Sequence, residues 1–308
     1  MGSFKALGAS YAVGTALRNE ETRSGTVCTA TEGNHGRAVA WAARSHGLAC
    51  RVFLPDDTDP RRIEAIRSEG AFVEEVPGDY EEAVERARRA AERDGWLLVQ
   101  DTAWEGYTEI PLRIMKGYTT ALREVEGDSG PDAEPHGEPP ADVVFLQAGV
   151  GSWAGAAAAY LHARWGPSAP RVAVVEPTAA ACILESAEAG GPVEAGGGRN
   201  TAMNGLNCGV PSTLGHRILG RLARVFVAVD DGWAHAAVEA LSRGDPPVPS
   251  APAGAAGLAG LLALSEGRGE HGEPRRTGDG SGLEEARRAL GLGEASRVLV
   301  VNTEGPPA

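Results

Sequence analysis

Residues 26–43 read TVCTATEGNHGRAVAWAA. The first five form a short β-branched, apolar run, and the last ten space small and apolar residues as one face of a helix. Between them a glycine-flanked Asn34-His35 pair makes the turn. A strand that feeds a helix in this way is half of a βαβ unit, and the pattern recurs along the chain. Further β-branched runs stand at 50–54 (CRVFL), 71–76 (AFVEEV), 96–100 (WLLVQ), 142–147 (DVVFLQ), 171–176 (RVAVVE), 224–229 (RVFVAV) and 296–301 (SRVLVV). Helical stretches separate them. Asp59-Pro60 has the form of an N-cap with a helix-opening proline, and Asp79 starts a helix that Gly95 closes. This alternation predicts an α/β protein with mostly parallel sheets flanked by helices.

The 308 residues are 42% hydrophobic and 23% charged, enough to bury the cores of two lobes. A net charge of −13 without a basic stripe argues against nucleic acid as a partner. There is no run of about 18 apolar residues and no secretory leader pattern, so no membrane partner is expected. Cys28, Cys50, Cys182 and Cys208 show no C-x-x-C pairing, which suits a reducing cytoplasm and signals neither zinc nor a disulfide framework. Stretches rich in Pro, Gly and charge at 127–142, 243–254 and 266–282 read as mobile surface loops. The first suggests a boundary, with 26–140 as a smaller α/β domain and 1–25 plus 141–308 as a larger, discontinuous one.

Three segments can carry chemistry. In the turn at 31–36, backbone amides and a helix N-terminus can face a ligand; the same residues also fit a tight turn capped by Asn34. QAGVGSWAGA at 147–156 places Gly149, Gly151 and Gly155 after a strand and before a helix, where amides can cradle a phosphate. It could equally open a dinucleotide site, for which Glu176 would be the acidic residue on the next strand. Lys5 lies in what reads as the first turn of a helix, a position where most lysines are merely solvated.

Taken in order, the early lysine, the G-N-H-G turn and the glycine loop resemble the pyridoxal phosphate (PLP) enzymes of the threonine and serine dehydratase group. ATEGNHGRAVAWAA, VQDTAWEGYTEIP at 99–111, LQAGVGSWAGA, VVEP with Cys182, AMNGLNCGVPSTLG and VNTEG at 301–305 are more specifically similar to the diaminopropionate ammonia-lyase family. The resemblance runs from Phe4 to Gly305. It implies a tryptophan synthase β-like fold of two lobes, N-terminally shortened here, working as a homodimer on a small amino-acid substrate.

Carried onto this chain, the resemblance implies that Lys5 forms the Schiff base with PLP and that Asn34 bonds the cofactor's ring hydroxyl. Gly149, Val150, Gly151, Ser152 and Gly155 would hold the phosphate, and Thr303 would face the pyridine nitrogen. Two acids, Glu32 and Asp101, would act as bases for the two enantiomers of 2,3-diaminopropionate. His35 reads as a structural residue of the turn, and no metal is expected. Two departures stand out: Glu32 replaces an aspartate of the family, and Ala251-Pro252-Ala253-Gly254 replaces a G-E-S-G motif. Two alternative readings are a serine or threonine dehydratase, which would expel water, and a PLP-fold protein that has lost its activity.

Overall fold

The computed structural model describes residues 2–31, 33–127, 138–196, 198, 200–266, 275–276 and 283–306. Glu32, most of the stretch 127–142 and nearly all of 266–282 lie outside the described residues. The chain forms two compact units, Ser3–Ala121 and Leu122–Ala308, the second also taking in Gly2.

The first unit contains α1 (Lys5–Arg18), β1 (Thr26–Ala30), α2 (Asn34–Ser45), β2 (Ala49–Pro55), α3 (Pro60–Arg67), β3 (Phe72–Val76), α4 (Tyr80–Asp94), β4 (Leu97–Leu98) and α5 (Glu109–Tyr118). Its sheet has the order β3-β2-β1-β4 and every pairing is parallel. The helix starts follow their sequence signals. Asp59 accepts from the Arg61 amide with Pro60 behind it, and Asp79 and Glu82 form a reciprocal capping box. Gly95 ends α4 in the left-handed region. The alanine face of α4 (Ala83, Ala87, Ala90, Ala91) packs on Cys28, Ala30 and Phe53 of the sheet.

In this structure α1 belongs to the first unit, where it packs on α2 and α5. The expectation that 1–25 would join 141–308 therefore differs from the packing observed. The reason is a pair of glycines. A Cβ on Gly117 would lie 2.5 Å from the Leu7 carbonyl oxygen and 2.7 Å from Gly8 Cα, and one on Gly8 would be driven into the Tyr118 ring. Only hydrogen at both positions lets the backbones of α1 and α5 meet this closely.

The second unit begins within α6 (Thr120–Val125) and continues through β5 (Val143–Gln147), α7 (Ser152–Trp165), β6 (Arg171–Pro177), α8 (Cys182–Ala189), α9 (Thr213–Leu222), β7 (Ala223–Val229), α10 (Asp231–Ser242), α11 (Pro252–Glu266), β8 (Arg275–Arg276), α12 (Leu283–Leu290) and β9 (Val298–Val300). The sheet order is β8-β7-β6-β5-β9, parallel except for the two-residue β8 at the edge. All five residues of β5 are buried, as expected of a central parallel strand covered on both faces. The core gathers Phe145, Val175, Val227 and Trp233 with the small residues of α11.

One loop expectation fails. Residues 243–254 were expected to be mobile, yet Ser250 and Ala251 are buried and α11 starts at Pro252. A proline at the first helical position costs no hydrogen bond, so the proline-rich run opens a core helix.

Gly117→Ala is expected to lose about 1–3 kcal/mol of stability through overpacking of α1 on α5. Urea unfolding followed by circular dichroism measures this; an unchanged midpoint would show that the helices separate without cost.

Candidate active site

In the first unit, the turn after β1 and the loop after β4 converge on the start of α1. Thr31 organises the turn: its Oγ1 accepts from the Gly33 amide at 2.9 Å and the Gly36 amide at 3.1 Å. A Cβ on Gly36 would come within 2.3 Å of the Thr31 methyl, which explains the second glycine of the motif. Thr31 therefore caps this turn, and the half-buried Asn34 is the first residue of α2.

The loop 99–107 is fixed from both ends. The Val99 amide donates to the Cys28 carbonyl at 2.8 Å, continuing the sheet. Gln100 is fully buried; its Oε1 accepts from Thr29 Oγ1 and the Ala30 amide, and its Nε2 donates to the Tyr80 hydroxyl at 2.6 Å. Tyr107 donates to the Leu98 carbonyl and accepts from the Gln100 amide, while its ring stacks on Trp104 at 4.3 Å. Gly106, at φ +83°, makes the turn between the two rings. The DTAWEGY stretch is thus a rigid hairpin loop that presents Asp101.

Asp101 is 8% exposed and accepts a hydrogen bond from Lys5 Nζ, and the Lys5 side chain keeps 20% of its surface. Phe4 and Tyr118 pack together beside the amine, their ring centroids 5.3 and 5.9 Å from Nζ. His35 completes the cluster. Its Nε2 lies 2.8 Å from the Val99 carbonyl, which can only accept, so Nε2 carries the hydrogen. Nδ1 is buried, lacks a hydrogen-bond partner and stands 3.7 Å from Asp101 Oδ2. A buried polar atom left so costs about 1–3 kcal/mol, and such strain clusters at functional sites.

The electrostatics follow from this enclosure. Burial pushes the Asp101 carboxyl up, but the opposing pull of His35, exerted only when that ring is protonated, and of the Lys5 ammonium is stronger and holds it well below the ordinary carboxylate range. Burial pushes His35 down; Asp101 raises it, Lys5 lowers it further, and the net shift is downward, so the ring is neutral. Burial also raises the Tyr118 phenol, which feels both Lys5 and Asp101.

In the second unit the glycine loop leaves the buried end of β5. Gly151 sits at φ +87°, and a Cβ there would lie 2.8 Å from Ile183 Cδ1. Gly149 has no room for a Cβ either, with Cys208 Sγ 2.8 Å from that position. The Val150 carbonyl accepts from the Ser212 amide at 2.9 Å, and Gly155 N–H donates to the Gly151 carbonyl at 2.8 Å. Ser152 is buried, and α7, which it begins, has no side-chain cap. An uncapped helix N-terminus behind glycine backbone suits a phosphate.

Thr303 is 6% exposed. Gln147 Nε2 lies 2.7 Å from Thr303 Oγ1, 3.0 Å from the Gly254 carbonyl and 2.9 Å from the Val301 carbonyl. With two N–H groups facing three oxygens, one of these contacts is shared; because an amide nitrogen cannot accept, the Thr303 hydroxyl directs its own proton away from Gln147. In the segment 251–254 the Ala251 amide donates to the Glu304 carbonyl at 3.0 Å, and a Cβ on Gly254 would lie 2.3 Å from that oxygen. Glu176 is no ribose ligand. Its two oxygens accept from the Ile183 and Leu184 amides at 2.8 Å, capping α8.

The first unit, by itself, carries a lysine amine in a buried polar cluster; the second carries a helix N-terminus without a side-chain cap behind glycines and a buried threonine hydroxyl. The matching family model is "Pyridoxal-phosphate dependent enzyme", over residues 1–275, and the chain belongs to that family. Over 99% of its length it is 35% identical to diaminopropionate ammonia-lyase of Escherichia coli K12, covering 77% of that protein. The Salmonella typhimurium enzyme of the same name is 38% identical over 75% of this chain and 62% of its own. A crystal structure of the E. coli enzyme in complex with an aminoacrylate-PLP azomethine reaction intermediate superposes with a TM-score of 0.81 at 34% identity, covering 99% of this chain and 77% of that one. Among the described residues no helix is long and apolar enough to cross a membrane, and no group of His, Cys, Asp and Glu could hold a metal.

Because His35 is held neutral when folded, acid must work against the fold. The unfolded chain takes up a proton as pH drops below the ordinary histidine value of 6.5, the folded one resists, and stability contributed above 6.5 is lost on acidification. Replacement by Gln is expected to flatten the slope of unfolding free energy between about pH 5 and 6.5. Parallel slopes for the two proteins in urea titrations would contradict this.

Proposed function

We propose that this protein converts 2,3-diaminopropionate and water to pyruvate and two molecules of ammonia with the aid of PLP. The observation that carries the reading is the buried meeting of Lys5 with Asp101, presented by the DTAWEGY loop, in a chain 35% identical over 99% of its length to an enzyme of that name.

Once bound, the cofactor supplies an electron sink for the bond pair left on the substrate's α-carbon. The chain's own residues do the rest. Lys5 holds the cofactor covalently and is displaced by the substrate's α-amine. Asn34 bonds the ring hydroxyl, and Gly149, Val150, Gly151, Ser152 and Gly155 hold the phosphate through the loop and the first turn of α7. Thr303 donates its proton toward the ring nitrogen. A neutral hydroxyl, unlike a carboxylate, does not keep that nitrogen protonated, which favours prompt loss of the β-amine over a long-lived carbanion.

Asp101 takes the α-proton from one enantiomer, by the family resemblance the L-isomer. While Lys5 is an ammonium beside it, Asp101 is a poor base. Asp101 becomes an effective base only when the Lys5 amine beside it has lost its proton and stands neutral. Glu32 is proposed as the base for the other enantiomer, with a side chain one methylene longer than the family's aspartate. A serine or threonine dehydratase would use the same lysine and differ in its leaving group. We further propose a cytoplasmic homodimer; all four cysteines are free, as a reducing compartment requires.

Borohydride reduction of the PLP-loaded protein should fix the label on Lys5, and peptide mapping locates it. Pyruvate release should be faster from L-2,3-diaminopropionate than from L-serine or L-threonine, and Asp101→Asn should lower it about a hundredfold or more. Faster turnover of serine would replace the lyase reading with the dehydratase one. Absence of any borohydride adduct at Lys5 would remove both.

A further inference from the structure

The Asp101 environment contains a group that the elimination chemistry has not yet used. His35 is buried, its tautomer is fixed by the bond from Nε2 to the Val99 carbonyl, and its bare Nδ1 faces Asp101 Oδ2 at 3.7 Å. Two acceptors stand opposite each other with no proton to share. Such an arrangement is unfavourable in the resting protein and becomes favourable when one proton arrives at the carboxyl.

We infer that His35 is a positioning residue behind Asp101, whose Nδ1 receives through the Asp101 carboxyl the proton that Asp101 takes up. This rests on Asp101 being the base proposed above. As the α-carbon to hydrogen bond breaks, its electron pair stays with the substrate and its proton goes to the Asp101 carboxyl. The acid then donates to Nδ1, either as a hydrogen bond or by full transfer, and Nε2–H keeps its bond to Val99 throughout. The proton returns through Asp101, whose Oδ2 also meets Lys5 Nζ.

The charged and titratable neighbours agree with this role. Among the described residues, Asp101 and Lys5 are the charges that act on His35, and the phenols of Tyr107 and Tyr118 both feel the Asp101 charge. Lys5 competes with His35 for the same carboxyl oxygen. The coupling between His35 and Asp101 is therefore weak while the Lys5 amine is an ammonium and strong once that amine is neutral. Removing the amine by mutation removes that competing cation without any cofactor.

The test uses 15N-histidine-labelled, cofactor-free protein, with His35 followed by NMR as a function of pH. In Lys5→Ala, Nδ1 is expected to become protonated or hydrogen-bonded at a pH at least about one unit higher than in the wild type, a tenfold gain in proton affinity. Adding Asp101→Asn should abolish the gain. Identical titrations in wild type and Lys5→Ala, or a gain that survives Asp101→Asn, would overturn the inference.

A second arm uses the PLP-loaded enzyme with His35→Gln, which keeps an N–H donor for Val99 but replaces the basic ring nitrogen by an amide oxygen that cannot take up a proton. At pH 8 its kcat on L-2,3-diaminopropionate should fall at least about tenfold, with cofactor content, KM and thermal midpoint unchanged. A kcat within about twofold of wild type, or a loss that merely tracks cofactor content, would count against the relay. The NMR arm needs neither substrate nor cofactor, so failure of the lyase reading and failure of the His35 inference remain distinguishable.

Discussion

A carboxylate removed from water must find a cation or hydrogen-bond donors, because an isolated buried charge is costly beyond what a single domain can bear. Asp101 meets that requirement with Lys5, and much of the first unit can be read as the scaffold that makes the meeting possible. The lysine opens α1, and α1 is held against α5 by the glycine contact of Gly8 with Gly117. The aspartate follows a two-residue strand, held by Gln100 and by the Trp104–Tyr107 stack. The same pair also sets the local electrostatics, since the ammonium holds the carboxyl well below its ordinary range.

The second unit applies a different constraint. Its glycine loop and Thr303 are held by backbone rather than by charge. Gln147, the last residue of β5, ties Thr303 to the carbonyls of Gly254 and Val301 with a single amide nitrogen. Nearby, the Ala251 amide donates to the Glu304 carbonyl, and the absence of a side chain on Gly254 lets the two segments meet.

Much of the fold was legible in the sequence. The strands at 26–30, 171–176 and 224–229 are β-branched runs with turn signals at both ends, and Asp59-Pro60 and Asp79 announce their helices through the same caps that the structure shows. Strand 96–100 shrank to Leu97–Leu98 because the pairing ends at the bond from the Val99 amide to Cys28 and the chain from Gln100 onward forms the Asp101 loop, a tertiary requirement invisible to local pattern. The proline-rich 243–254 stretch misled for a related reason: composition reports average solubility, whereas Ser250 and Ala251 are buried by the partners they meet around Asn302 and Glu304.

The amino-acid sequence by itself determined the α/β class, the order of the chemical segments and the family, since periodicity, caps and motifs are local properties written in consecutive residues. It also supplied Lys5 and Asp101, though only through resemblance. Tertiary structure alone decided that these two side chains touch, that Thr31 caps the turn, that Glu176 caps a helix, and that His35 aims a bare nitrogen at Asp101. Each of these depends on atoms brought together from distant parts of the chain, and on which hydrogen-bond partner burial leaves within reach, quantities that no single stretch of sequence contains.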